Sequence, residues 1–268
     1  MTTPFPLRPI AAGAIVSTVV LTGFTAPAHS QERPLLVERA TVLSAEEAAV
    51  FGHLAYEIGR EAGGGAGPDA PGGAKYDNAR VGPFGARFGL GDRVEVGGYL
   101  TANINSEDDD GALDDSGLEG LTVYGKVAAN DYIAVTTGLT VAGSDDVGPY
   151  PNDGIDFFVN MPMQRPLGVG LLYGELGLTV QDEQDMTGGT YINYGIGYSV
   201  PMNEQLALNA ELVGEQDNSF ARNGNTMSLV LGGNFQPDRN MDVAPYVSLG
   251  LYDAAPSLAL GASFELRM

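Results

Sequence analysis

Tyr191-Ile192-Asn193-Tyr194-Gly195-Ile196-Gly197-Tyr198-Ser199-Val200 is followed, after a break at Pro201-Met202-Asn203, by Leu206-Ala207-Leu208-Asn209-Ala210-Glu211-Leu212-Val213, and this pair of runs decides the fold. In the first run Ile192, Tyr194, Ile196, Tyr198 and Val200 alternate with Tyr191, Asn193, Gly195, Gly197 and Ser199; in the second, Leu206, Leu208, Ala210 and Leu212 alternate with Ala207, Asn209, Glu211 and Val213. Successive strand side chains point to opposite faces, so a period of two predicts a sheet with one apolar and one polar face. The polar face holds Gly, Ala, Ser, Thr, Asn and Tyr with few lysines. A solvated face would carry far more charge, roughly 25–35 %. Small neutral residues suit an enclosed wet interior, and an apolar exterior around a polar lumen is the pattern of a membrane β-barrel.

The pattern repeats along the chain. Ile133, Val135, Leu139 and Val141 share one face, and near the end Leu258, Leu260, Ala262, Phe264 and Leu266 do the same. Strands are predicted near 50–61, 78–90, 93–105, 118–129, 131–143, 153–162, 166–181, 188–200, 204–216, 224–235, 240–251 and 257–267, twelve in all. Long connections (62–77, 106–117, 143–152, 182–187, 217–223) alternate with tight turns at Gly91-Asp92, Asn130, Met163-Gln164, Pro201-Met202-Asn203 and Pro237-Asp238-Arg239. An even strand count with short turns on one side and longer loops on the other is how bacterial outer-membrane barrels are built. Only Asp253-Ala254-Ala255-Pro256 is short for the outer side. The expected fold is therefore an all-β antiparallel transmembrane barrel occupying 50–268, with both termini in the periplasm.

The first strand is ambiguous. Ser44-Ala45-Glu46-Glu47 reads as a helix capping box, and Phe51, Leu54, Ala55 and Ile58 fit a helical face. Gly52, Leu54, Tyr56 and Ile58 also alternate cleanly, and losing this strand would leave an odd number, so strand is preferred from residue 50.

Ahead of the barrel, Arg8 precedes the apolar run Ile10–Phe24 and the small-residue site Ala26-Pro27-Ala28-His29-Ser30. A charged start, a short apolar core and small residues predict a cleaved secretory signal peptide over 1–30. The apolar run is short of the ~20 residues needed to span a bilayer as a helix. Residues 31–49 are then expected as a periplasmic N-terminal segment.

Composition excludes several function classes. The 268 residues carry 34 acidic against 13 basic side chains, a net charge of −21, with no Cys, no Trp and two His. Such an excess of negative charge repels phosphates, so nucleic acid is not an expected partner. Thiol catalysis, disulfides and structural zinc need Cys or clustered His, and no cofactor or metal is expected. At 44 % hydrophobic the chain is too apolar for an acidic disordered protein. Ser106-Glu107-Asp108-Asp109-Asp110-Gly111 begins like a calcium loop, but Gly117 stands where a bidentate Glu is required.

Several short motifs resemble a known family. Gly89-Leu90-Gly91-Asp92-Arg93-Val94-Glu95-Val96 is similar to a characteristic turn of an outer-membrane transporter family named for the meta-cleavage pathway of phenol degradation. Asn193–Tyr198 with Leu208–Gly214 resembles its central strand pair, and Met241 to Phe264 its final hairpin. The resemblance implies a transporter for aromatic or other small hydrophobic compounds, with outer-membrane lipid, a small-molecule solute and the barrel-assembly machinery as partners, and no catalytic residues. One departure is the ending, Phe264-Glu265-Leu266-Arg267-Met268, where barrels of this kind commonly close on an aromatic residue.

Strand parity nominates lumen-lining residues: Arg87, Glu95, Tyr124, Lys126, Asp156, Tyr173, Glu175, Tyr191, Asn193, Glu211, Asp242, Tyr246, Glu265 and Arg267, with His53, Glu57, Glu61, Glu215, Tyr99 and Tyr132 on the same parity. Acid rings favour cations, whereas the same acids paired with Arg87, Lys126 and Arg267 would pack a closed interior. The tyrosines could wall an aromatic path or fill the barrel. An outer-membrane hydrolase is the remaining alternative, but His53 is the main histidine candidate and no Gly-x-Ser-x-Gly elbow accompanies it.

Overall fold

The computed structural model describes residues 35–61, 75–106, 116–143, 154–181, 189–217, 225–252 and 255–268. Twelve strands run in chain order: β1 Ala48–Glu61, β2 Lys75–Gly91, β3 Val94–Ser106, β4 Ser116–Asn130, β5 Ile133–Ala142, β6 Ile155–Leu167, β7 Gly170–Val180, β8 Thr190–Pro201, β9 Leu206–Asp217, β10 Thr226–Asp238, β11 Met241–Gly250 and β12 Leu258–Arg267. Each pairs antiparallel with its sequence neighbours, and β1 pairs with β12 to close the barrel. Closure leaves no unpaired sheet edge, which is the condition for a sheet to cross hydrocarbon. The predicted signal peptide, the calcium-like loop and most of the long acidic connections lie outside the described residues.

The direction of the apolar face is settled by exposure. Leu176, Ile196, Leu208 and Leu260 are each about half exposed on the outside. Arg87, Glu95, Lys126, Glu211 and Asp242, on the opposite parity, are enclosed by the ring. Soluble barrels invert this arrangement. Val123, mid-strand in β4 and 46 % exposed, belongs to the outer band. Val123→Arg should therefore destabilise the folded barrel by about 2–4 kcal/mol in lipid vesicles, the cost of a cation near the bilayer midplane. A urea titration followed by gel mobility reads this directly, and an unchanged midpoint would remove β4 from the lipid face.

Two local expectations need correction. The tight turn expected at Met163-Gln164 lies instead at Gly168-Val169, because β6 continues through Leu167 with Arg165 opposite Leu172. Gly168 takes the left-handed conformation (φ 59°) that this turn needs. Tyr132, expected to face inward, stands in the β4–β5 turn and is 53 % exposed.

The capping-box residues form half of their expected contact: Ser44 N–H donates to the Glu47 carboxylate at 2.9 Å, and Glu47 N–H donates to the Ser44 backbone carbonyl at 3.2 Å. They cap a turn rather than a helix, and β1 follows at once. In β2 one extra residue interrupts pairing with both neighbours between Val81 and Phe84. Gly82 has φ 114°, a conformation open essentially to glycine. A bulge of this kind reverses side-chain parity beyond it, so Asn78 and Arg80 face inward although alternation counted from Arg87 sends them out.

A plugged lumen as the candidate functional site

Residues 35–43 occupy the interior of the barrel. The segment 31–49 was expected on the periplasmic side, and its described part corrects this: Leu35, Val37, Glu38, Arg39, Ala40 and Leu43 are all at most 5 % exposed. The physical reason is reciprocal need. An extended segment has backbone N–H groups to satisfy, and the lumenal wall offers carboxylates that cannot be left buried without donors.

Glu211 on β9 is the main anchor. Its Oε2 accepts the N–H of Leu36 at 2.8 Å and of Val37 at 3.0 Å, and its Oε1 accepts Leu35 N–H at 3.2 Å and the Tyr173 hydroxyl at 2.8 Å. Four donors on one carboxylate offset part of the cost of burying it. Glu38 follows: its N–H donates to Glu175 at 3.1 Å, and its Oε1 takes Lys126 at 2.9 Å and the Thr136 hydroxyl at 2.6 Å. Lys126 Nζ also donates to the Arg39 carbonyl at 2.7 Å, and Leu43 N–H reaches Glu95 at 2.8 Å. Apolar contacts complete the seat, with Leu35 against Val230, Ala244 and Tyr246, and Ala40 against Ala128 and Ala134. The wall makes room for it. A Cβ on Gly195 would stand 2.6 Å from Val37 Cγ2, and one on Gly232 would stand 2.7 Å from Leu35 Cδ2.

Below this, toward the short turns, runs a chain of ion pairs. Arg87 bridges Glu95 (2.9 Å) and Glu265 (2.8 Å), and Arg267 bridges Glu265 and Asp242 at 2.9 Å each. Arg87, Glu95 and Asp242 are almost wholly buried. Arg87, Lys126 and Arg267 thus neutralise acids within a packed interior, the reading of the lumen in which no acid ring stands open to solvent at this level.

Alongside and above the plug lies a cavity of about 420 Å³, reaching down to Glu265 of the ion-pair chain. Leu35, Leu36 and Glu38 line it from the plug side; Phe51, His53, Arg80, Tyr99, Tyr124, Phe158, Glu175, Asn193 and Glu215 line it from the barrel wall. Phe51 meets Tyr99 edge-on at 6.3 Å, and Tyr99 lies 6.2 Å from Tyr124. His53 is engaged at both ring nitrogens, by the Gly82 carbonyl at 3.0 Å and the Tyr246 hydroxyl at 2.7 Å.

The nominated residues therefore divide by depth. Glu95, Lys126, Glu175 and Glu211 contact the plug and Tyr173 braces Glu211, while Arg87, Asp242, Glu265 and Arg267 form with Glu95 the ion-pair chain beneath it. Tyr124, Glu175, Asn193 and Glu265 line the cavity. Tyr246 packs on Leu35 and holds His53. Asn193 donates to Thr179 at 2.7 Å; Asp156 is buried and Tyr191 half-buried on the inward parity. Residue-by-residue parity missed Arg80, which sits 3.3 Å from Glu119, and the whole of 35–43. The Gly82-Pro83 pair was the available signal for the first. The second left no periodic signal.

The fold class follows: this is a bacterial outer-membrane-type barrel of twelve strands. An outer-membrane channel of Pseudomonas putida F1 superposes with a TM-score of 0.58 at 12 % identity, covering 85 % of this chain and 97 % of that one. The NanC porin superposes with a TM-score of 0.52 at 8 % identity, covering 82 % of this chain and all of its own. No family model and no curated protein sequence matches the chain.

Proposed function

We propose that this protein is a passive channel of the bacterial outer membrane for small solutes, aromatic and hydrophobic compounds among them, belonging to the transporter family its motifs resemble. The observation that carries the reading is the aromatic-walled cavity of about 420 Å³ bordered on one side by the chain's own residues 35, 36 and 38. A pocket of that size, lined by Phe and Tyr with a few polar groups, suits a small ring compound. The apolar outer band supports insertion in lipid, and the apolar run with its small-residue site supports export and removal of residues 1–30 before the assembly machinery receives the chain. In this reading Glu95, Lys126 and Glu211 hold the plug, Arg87 and Tyr173 brace Glu95 and Glu211, and Tyr124, Glu175 and Asn193 border the solute's path.

The test is single-channel recording of the refolded protein in a planar bilayer under a salt gradient. Small discrete steps are expected, because the plug fills the lower lumen, with a reversal potential biased toward cations. A large ohmic pore would contradict a seated plug. A silent but stably inserted barrel would favour a second reading, a closed structural barrel, for which the buried ion-pair chain is the supporting observation. The engaged ring of His53 gives no support to hydrolysis.

A further inference from the structure

We infer that the cavity beside the plug selects amphipathic organic cations, in the form of an aromatic ring carrying a primary ammonium. This rests on the channel reading and names its solute class. The first observation is charge. Glu38, Glu175, Glu215 and Glu265 line the cavity, Glu38 held by Lys126 and Glu265 by Arg87 and Arg267, and the one guanidinium among the described lining residues, Arg80, is itself tied to Glu119 at 3.3 Å. The second is a specific unmet need. Glu38 is 1 % exposed, and while its Oε1 takes Lys126 and Thr136, its Oε2 has no hydrogen-bond partner among the described residues. A buried carboxylate oxygen without a donor is costly, and an N–H donor supplied by a solute would satisfy it. The third is the wall. Phe51, Tyr99, Tyr124 and Phe158 present ring faces and edges around the same space. Rings attract a cation held near their faces and pack equally against an apolar ring. A neutral ring compound would use the wall and offer Glu38 Oε2 at most an uncharged donor, a weaker bond than one from an ammonium; an anion would meet an acidic lining.

Binding calorimetry on the full refolded barrel in non-ionic detergent tests this with three probes of one shape: 2-phenylethylammonium, 2-phenylethanol and phenylacetate. Measurement at 0.5 M salt screens the diffuse attraction of an acidic chain. The ammonium should bind about tenfold more tightly than the alcohol, on the scale of one partly desolvated charge contact, with phenylacetate weakest. Glu38→Gln should erase the preference for the ammonium while leaving the alcohol unaffected. Because Glu38 also helps seat the plug, Glu215→Gln serves as an independent variant and should reduce the preference several-fold. Equal affinity for ammonium and alcohol, or preference for phenylacetate, overturns the inference and leaves the channel reading standing. Failure of all three probes to bind overturns both.

Discussion

Deleting residues 35–43 should raise the single-channel conductance of the refolded barrel several-fold and widen the range of solutes admitted in vesicle swelling. The deletion removes the plug side of the cavity and clears the level at which Glu211, Lys126 and Glu95 now bond to it. These side chains would be left facing an open lumen, where water can hydrate them, so the loss need not unfold the barrel. A complementary experiment locks the same element in place. The chain has no cysteine, so Val37→Cys with Gly195→Cys introduces a single possible bridge. The close approach of Val37 to the position of a Gly195 Cβ (2.6 Å from Cγ2) is compatible with the ~3.8 Å Cβ separation of a disulfide. Oxidised, this variant should conduct no more than the native protein; on reduction it should behave as native. If the deletion leaves conductance unchanged, residues 35–43 do not limit passage.

The second large effect is on stability. Arg87→Met should destabilise the barrel by about 3–5 kcal/mol, the usual cost of removing one partner from a buried ion pair. Arg87 is 1 % exposed and joins Glu95 on β3 to Glu265 on β12 across β1. Without it, Glu95 keeps only the Leu43 N–H among its contacts described above, and Glu265 keeps only Arg267. Urea unfolding in vesicles, followed by the mobility shift between folded and unfolded barrel on an unheated gel, gives the value. The double change Arg87→Met with Glu265→Gln should recover part of the loss, since it removes an orphaned charge. A native midpoint for the single variant would mean that water reaches this level.

The two effects sit on different kinds of sequence information. Strand count, order and the sense of the apolar face were legible because a period of two constrains every residue of a wall that meets lipid on one side only. Leu260 and Glu265 could not both be placed wrongly without inverting β12. Parity failed where a backbone irregularity intervened: the extra residue at Gly82-Pro83 turned Arg80 inward. At the β6–β7 turn, Gly168 was the better guide than Met163-Gln164, because the turn depends on a conformation that glycine adopts freely. The plug was not legible. Its contacts join residues as far apart as Leu35 and Glu211, and Leu35–Leu43 carries no repeat. An acidic inward position looks the same in sequence whether water or backbone N–H groups satisfy it.

The continuity of the plug with β1 has a consequence for assembly. Ala48 exchanges backbone hydrogen bonds with Met268 just after the plug leaves the lumen, and β1 is also the strand that meets β12 at the seam. The ring therefore closes around a segment attached to one of its own closing strands. If the seam zips before 35–43 are inside, the segment must thread back through the short-turn mouth past the Arg87–Glu265 level. An affinity tag placed directly ahead of Leu35 would begin halfway up the bore, whereas one placed after Met268 would sit outside the mouth and leave the order of closure undisturbed.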